Sequence, residues 1–369
     1  MSKRKTGGAP QTLTATMATL FTLIGAGRLA EALTVANGYM AKSPPDAALL
    51  NLAAVCHVQL GDPERAKSCW LLALRLDPEC VDAHNNLGNL YKAQKCFPEA
   101  EAAYAQTLRL RPDFAEAHYN LGALLKEQKR TPEAIAALQR ALRYQPGLAE
   151  AHYDLATLLV ERNDLAAAEA AFRQALRLRP EMVEAANDLG VLLKNQQRWP
   201  EAEALFVQVL RLQPNAALVC NNLGNLYNDQ RRWEEARTAY RRALSIHPEY
   251  ADAHYNLAIS LQREHHYAAA EESYRRVVGI RSDHWEALLN LGVLLQKQRR
   301  FPEAENAYRQ ALFVQPDNPD LLWNLGLLCL ASGRFQEGWP LHEARHHPDK
   351  KGRTTLPPPC RFPCGKGRI

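Results

Sequence analysis

What this 369-residue chain lacks narrows it first. It has no G-x-G-x-x-G turn, no Walker-type phosphate loop and no G-x-S-x-G elbow. The backbone devices that cradle a pyrophosphate or present a strained serine are therefore missing. No apolar run approaches the 18 or so residues that a helix needs to cross a bilayer. A basic stripe is missing too. The formal net charge of +5 sits at the ends, with Lys3, Arg4 and Lys5 at the start and Lys350, Lys351, Arg353, Arg361, Lys366 and Arg368 against Asp349 at the finish. The sequence between them keeps a small negative balance, which excludes the phosphate-tracking surface that nucleic acid requires. The eight cysteines form no staple framework. Cys56, Cys220 and Cys329 fall at core-facing helix positions, and a chain this long needs no disulfides to complete its core. That usage fits a reducing, cytoplasmic compartment.

What is present is one phrase of 34 residues, restated. Copies begin at Val81, Ala115, Ala149, Val183, Ala217, Ala251, Trp285 and Pro319. A period in this range marks stacked supersecondary units, each unable to bury its apolar face alone. Function should then lie on a long surface made by stacking, without a single deep pocket. Within a unit the apolar pattern is helical twice. His118, Leu121, Gly122 and Leu125 mark one face of a first helix, and Ala134, Leu138, Ala141 and Leu142 one face of a second. Pro98, Pro132, Pro200 and Pro302 open second helices, where a missing N–H costs nothing. Pro78, Pro112, Pro146, Pro180, Pro214, Pro248 and Pro316 follow their ends. Small residues recur at the crossing points, among them Gly88, Gly224 and Gly292 in first helices and Ala100, Ala134 and Ala236 in second ones.

These recurrences together resemble the tetratricopeptide repeat family. The resemblance implies an all-α, right-handed superhelical solenoid of about ten helix-turn-helix repeats over residues 13–352, with the first, second and last units divergent. Residues 1–12 and 353–369 are expected to be basic, disordered ends, the second rich in proline. Lys3-Arg4-Lys5 followed by apolar residues 17–26 has the parts of a signal peptide. Gly27, Ala32 and Pro44, however, sit where a repeat beginning at Leu13 needs them, so a divergent first repeat is the expectation. Departures from the family pattern are specific. The glycine of the turn between helices survives only as Gly27, Gly61 and Gly333, and is elsewhere Lys95, Lys129, Asn163, Gln197, Arg231, His265 or Arg299. The second unit reads as carrying one extra residue before Gly61, and Ser282 replaces a terminal proline.

In this family first helices line the inner wall of the superhelix. One inward position is nearly monotonous: Asn51, Asn86, Asn120, Asp154, Asp188, Asn222, Asn256, Asn290 and Asn324. Helix propensity does not select asparagine there. Its amide carries donors and an acceptor, so one per unit would pair with the backbone of an extended polypeptide. Such a row resembles the helical region of O-linked N-acetylglucosamine transferases. The plainer reading is that each asparagine bridges adjacent units or merely caps the solvated face. Asp154 and Asp188, with Glu150, Glu161 and Glu184 nearby, would favour basic or donor-rich ligand segments at mid-groove, while Lys92, Lys126 and Lys194 put opposite charge on the same wall.

Other constellations point to packing. His342-Glu343-Ala344-Arg345-His346 matches H-E-x-x-H, yet His342 holds the place of Tyr104, Phe172, Phe206, Tyr240, Tyr274 and Tyr308, and no third zinc ligand follows. His84, His118, His152 and His254 recur once per unit, too far apart to share a metal. Cys360 and Cys364 with His346 and His347 make only a weak metal pattern in a Pro-rich tail. No catalytic residue, metal or cofactor is expected. Gly338, Trp339, Glu343 and Arg345, followed by residues 357–359 (three prolines), resemble the last repeat of bacterial proteins whose arrays lead into a glycosyltransferase-like domain. The expected function is a non-enzymatic scaffold binding an extended polypeptide in its groove, without nucleic acid or membrane. The alternative is the acceptor-binding region of a glycosyltransferase without its catalytic domain.

Overall fold

A computed structural model describes residues 12–343; the two ends expected to be disordered fall almost wholly outside them. Among the described residues every regular element is an α-helix. In order these are α1 (Leu13–Gly25), α2 (Leu29–Met40), α3 (Ala47–Gln59), α4 (Pro63–Leu76), α5 (Val81–Ala93), α6 (Phe97–Leu110), α7 (Ala115–Glu127), α8 (Thr131–Tyr144), α9 (Ala149–Glu161) and α10 (Leu165–Leu178). They continue as α11 (Val183–Asn195), α12 (Trp199–Leu212), α13 (Ala217–Asp229), α14 (Trp233–Ile246), α15 (Ala251–Arg263), α16 (Tyr267–Ile280), α17 (Trp285–Lys297), α18 (Phe301–Val314), α19 (Pro319–Ala331) and α20 (Phe335–His342). Successive helices pair into hairpins, so the all-α solenoid expected from the 34-residue period is the fold found.

One turn joins the two helices of each hairpin. Its key residue is left-handed in all ten: Gly27, Gly61 and Gly333 at φ 72–80°, and Lys95, Lys129, Asn163, Gln197, Arg231, His265 and Arg299 at φ 59–63°. After α7 the Lys129 N–H donates to the Lys126 carbonyl and the Arg130 N–H to the Leu125 carbonyl, both at 2.9 Å. These are the two bonds of a Schellman closure. The geometry therefore survives the loss of glycine, at a cost of about 1–2 kcal/mol per non-glycine residue that packing must offset. The far turn is equally constant. Gln145, before Pro146, is extended at φ −136°, ψ 87°, as a pre-proline residue must be. Arg281 adopts φ −130°, ψ 92° before Ser282, so the missing proline changes nothing there.

Three hairpins cross where a first-helix glycine, Gly88, Gly224 or Gly292, meets a second-helix tyrosine ring. A Cβ on Gly224 would lie 2.5 Å from the Tyr240 ring, and one on Gly292 2.5 Å from Tyr308. Both rings are buried, worth about 2 kcal/mol apiece. Their hydroxyls stay satisfied: Tyr240 donates to Asn225 Oδ1 at 2.8 Å and Tyr308 to Gln296 Oε1 at 2.8 Å.

Hairpins are also tied to their neighbours. Arg130 at the head of α8 reaches back to Glu101 on α6 at 2.7 Å, and Arg232, Arg300 and Arg334 repeat the bond to Glu203, Glu271 and Glu305 at 3.0, 2.6 and 2.6 Å. Where Asp164 and His266 replace the arginine, the residue 29 positions earlier is Ile135 or Arg237, never glutamate. Exchange occurs in pairs. The helices group into two compact units that divide between Leu192 and Leu193, within α11. In the first unit α3, α5, α7 and α9 touch in succession; in the second α13 touches α15 and α17 touches α19. First helices thus present adjoining faces within each unit.

Candidate binding face on the first helices

The sixth residue of each first helix from α5 to α19 is the expected row: Asn86, Asn120, Asp154 and Asp188 in the first unit, Asn222, Asn256, Asn290 and Asn324 in the second. All are half-buried. Asn51 requires a correction. Helix α3 starts at Ala47, and Gly61 takes the left-handed turn 34 residues before Lys95, so the second unit carries no extra residue. Asn51 is the fifth residue of α3, aligned with Asn85, and Leu52 occupies the row.

The misplacement exposes what the row does. The sixth residue bonds to the fifth residue of the preceding first helix, 35 positions earlier. Asn86 donates to Asn51 Oδ1 at 3.0 Å, Asn120 to Asn85 Oδ1 at 3.3 Å, Asn256 to Asn221 Oδ1 at 3.0 Å, and Asn290 to the Tyr255 hydroxyl at 3.1 Å. An aspartate donates nothing, and opposite each aspartate stands a tyrosine, which does. Tyr153 donates to Asp188 Oδ2 at 3.0 Å. Burial, together with the Asp154 and Glu150 carboxylates, pushes the Tyr119 phenol up to about 12. Opposite Asn324 stands Leu289, which offers no polar atom; Asn324 donates instead to the Asp320 carbonyl of its own helix at 2.7 Å. Bridging of adjacent repeats, the plainer reading of the row, is therefore built into it.

The charges beside the row are largely spent inside the protein. Lys126 donates to Asp154 Oδ1 and to Thr157 Oγ1, each at 2.7 Å, and Asp188 also accepts from Asn187 at 3.0 Å. Glu150 is held by Arg179 at 2.6 Å, and Lys194 pairs with Asp229 at 3.4 Å. Lys92 differs: burial holds its ammonium below the usual lysine range, with Glu127 and Asp154 pulling the other way. The two carboxylates of the row are thus engaged by Tyr and Lys side chains of the chain itself, a pairing that the row alone did not announce.

The histidines serve turns. The Nε2 atoms of His84, His118, His152 and His254 lie 2.8–3.0 Å from the carbonyls of Pro78, Pro112, Pro146 and Pro248, six residues earlier, pinning the turn that precedes each first helix. His342 is buried against Gly326, in the place of the tyrosines of earlier hairpins; His346 lies outside the described residues, as do Cys360 and Cys364. Among the described residues no group of three or more His, Cys, Asp or Glu is arranged to hold a metal. Gly338 is buried against Leu330 and Trp339 is exposed on α20, while Arg345 and residues 357–359 lie outside. No described helix is long and apolar enough to cross a membrane.

A tetratricopeptide repeat model matches residues 51–95, 89–149, 153–217, 255–295 and 289–338, and a TPR repeat model matches 224–264. No curated protein matches the chain. Among solved structures the chain is similar to YrrB, described as a TPR protein with an unusual peptide-binding site, at 26% identity over 50% of this chain and 95% of that one, with a TM-score of 0.46. It is similar to pilF of Pseudomonas aeruginosa at 21% identity over 54% of this chain and 92% of that one, TM-score 0.49. The Cut9–Hcn1 hetero-tetramer of the APC/C gives 18% identity over 79% of this chain and 57% of that one, TM-score 0.50.

Proposed function

Because the chain belongs to the tetratricopeptide repeat family, whose model matches more than half of it, we propose that this protein-interaction fold serves here as a non-enzymatic scaffold that takes an extended polypeptide along its first helices. One observation carries the reading. At Asn86, Asn120 and Asn256 the bridge takes a single N–H, which fixes the amide's orientation and leaves its Oδ1 and second N–H for a ligand backbone; Asn290, which also hydrogen-bonds Tyr274, keeps its Oδ1. Orientation by the bridge lowers the entropy a ligand would otherwise have to remove. Binding and bridging are then two uses of one side chain.

The test must separate those uses. Binders selected from a random peptide library on the intact chain are measured against Asn256→Ala/Asn290→Ala and against Asn221→Ala/Tyr255→Phe. The first pair removes row amides, and the second removes only their bridge partners. Two net hydrogen bonds at about 1 kcal/mol each correspond to roughly thirtyfold in affinity, expected for the first pair, while the second pair, which loses only the orientation, should lose distinctly less at comparable melting temperature. Equal affinities in the two variants, or a library that yields no binders, overturn the proposal.

A further inference from the structure

Within the second unit, a cleft of about 440 Å³ opens beside the turns that close α11 and α13. It lies apart from the amide row, none of whose members lines it. Trp199 and Trp233, the first residues of α12 and α14, line it together with Lys194, Asn228, Asp229, Arg231 and Arg263. Both indoles are half-buried and present part of their surface to solvent. The charges do not cancel. Lys194 and Asp229 pair with each other at 3.4 Å. Arg231 and Arg263 are exposed, and among the described residues neither has a carboxylate within 4.0 Å. The contrast with the adjoining Arg232, claimed by Glu203 at 3.0 Å and Glu235 at 3.1 Å, is direct. Arg263 instead lies over the Trp233 ring at 5.9 Å, an arrangement that steadies a guanidinium without neutralising it.

Four carbonyls at the ends of α11 and α13 are already taken by the turns. The Leu193, Lys194, Tyr227 and Asn228 carbonyls accept from the turn N–H groups of Arg198, Gln197, Arg232 and Arg231 at 2.8–3.1 Å. The cleft therefore offers apolar indole surface and two uncompensated guanidinium groups. An acidic peptide segment with a large apolar residue supplies both complements: side chain to the indoles and carboxylates to the arginines. Indole and arginine pairs of this kind dominate binding energy at protein interfaces, and carboxylate–guanidinium bonds are among the stronger ones. We propose that this cleft is a docking site for an acidic peptide segment carrying an aromatic or large aliphatic anchor.

The probe is a fluorescein-labelled peptide with phenylalanine at its centre and two glutamates on each side, titrated by anisotropy onto the intact chain at low salt. Binding is expected, weakening as salt rises because the arginines are exposed. Arg231→Glu/Arg263→Glu should lower affinity by about tenfold or more. Replacing the probe's phenylalanine by glycine should cost about tenfold as well. Trp233→Ala should lose the probe, while Trp233→Phe, which keeps a ring on α14 and guards against misfolding, should retain most of it. In an Asn256→Ala/Asn290→Ala background the loss on changing both arginines should persist, so failure of the amide row and failure of this site are read separately. Unchanged affinity in the double arginine variant overturns the proposal. So does equal competition by inorganic phosphate or by a glutamate-only peptide, which would make the cleft a general anion site.

Discussion

Asn256 donates through Nδ2 to Oδ1 of Asn221 at 3.0 Å, joining α15 to α13. The amide that looks outward in the sequence is also the bolt between two hairpins. In a stacked array each interface adds to stability as a nearest-neighbour term, so such a bond contributes directly to the cohesion of its junction.

Its strength is measurable by a double-mutant cycle. Asn221→Ala and Asn256→Ala should each lower stability by about 1–2 kcal/mol, since each leaves a buried or half-buried amide without its partner. The double change should fall short of the sum by about 1 kcal/mol. Strictly additive losses in urea unfolding would show that the bridge contributes nothing.

Two glycines should answer substitution with opposite signs. In Gly224→Ala the new methyl would stand 2.5 Å from a buried Tyr240 ring, overpacking worth about 1–3 kcal/mol of destabilisation. Gly279, inside α16, has nothing within 4 Å of its Cβ position. Gly279→Ala should therefore stabilise by about 0.5–1 kcal/mol. Thermal melts of the two variants should move in opposite directions.

The left-handed turn residues give a third test. Lys129 holds φ 59°, and Lys129→Gly should raise stability by about 1 kcal/mol by relieving the Cβ penalty. The opposite change, Gly61→Lys at φ 80°, should lower it. No change in either variant would mean that the turn carries no strain.

Tyr119 supplies a pH signature. Its phenol is pushed up to about 12 by burial and by Asp154 and Glu150, against about 10 in an unfolded chain. The folded state then holds the proton more tightly, so this contribution is complete below about pH 10 and is lost as pH rises through the folded value near 12. Tyr119→Phe should flatten the alkaline fall in stability across that window. An identical alkaline slope in parent and variant would remove Tyr119 from the account.

Much of this protein was legible as a string. The 34-residue period, the paired helical faces and the prolines at both ends of second helices determine the hairpins, because local propensity and apolar periodicity repeat in every unit. The turn positions were legible too, even where lysine or arginine replaces glycine, since the register leaves no other residue to take the left-handed conformation. The row of Asn86, Asn120, Asp154, Asp188, Asn222, Asn256, Asn290 and Asn324 could be listed from sequence, but its use could not. A bond at a separation of 35 rather than 34 is invisible to a search for identical positions. It appears only when the fifth and sixth residues of neighbouring first helices lie side by side. The misalignment of Asn51 came from the same cause, for that asparagine belongs to the partner column. A signal was nevertheless available: from Arg130 onward glutamate precedes each head-of-helix arginine by 29 residues, at Glu101, Glu169, Glu203, Glu271 and Glu305, and vanishes where the arginine does. The cleft near Trp199 and Trp233 had no sequence signature. Sequence specified each hairpin because the forces that build it act within a few turns of chain. Which side chains meet across hairpins, and which arginines are left without a carboxylate, was decided only by stacking, which brings together residues that nothing in their local environment couples.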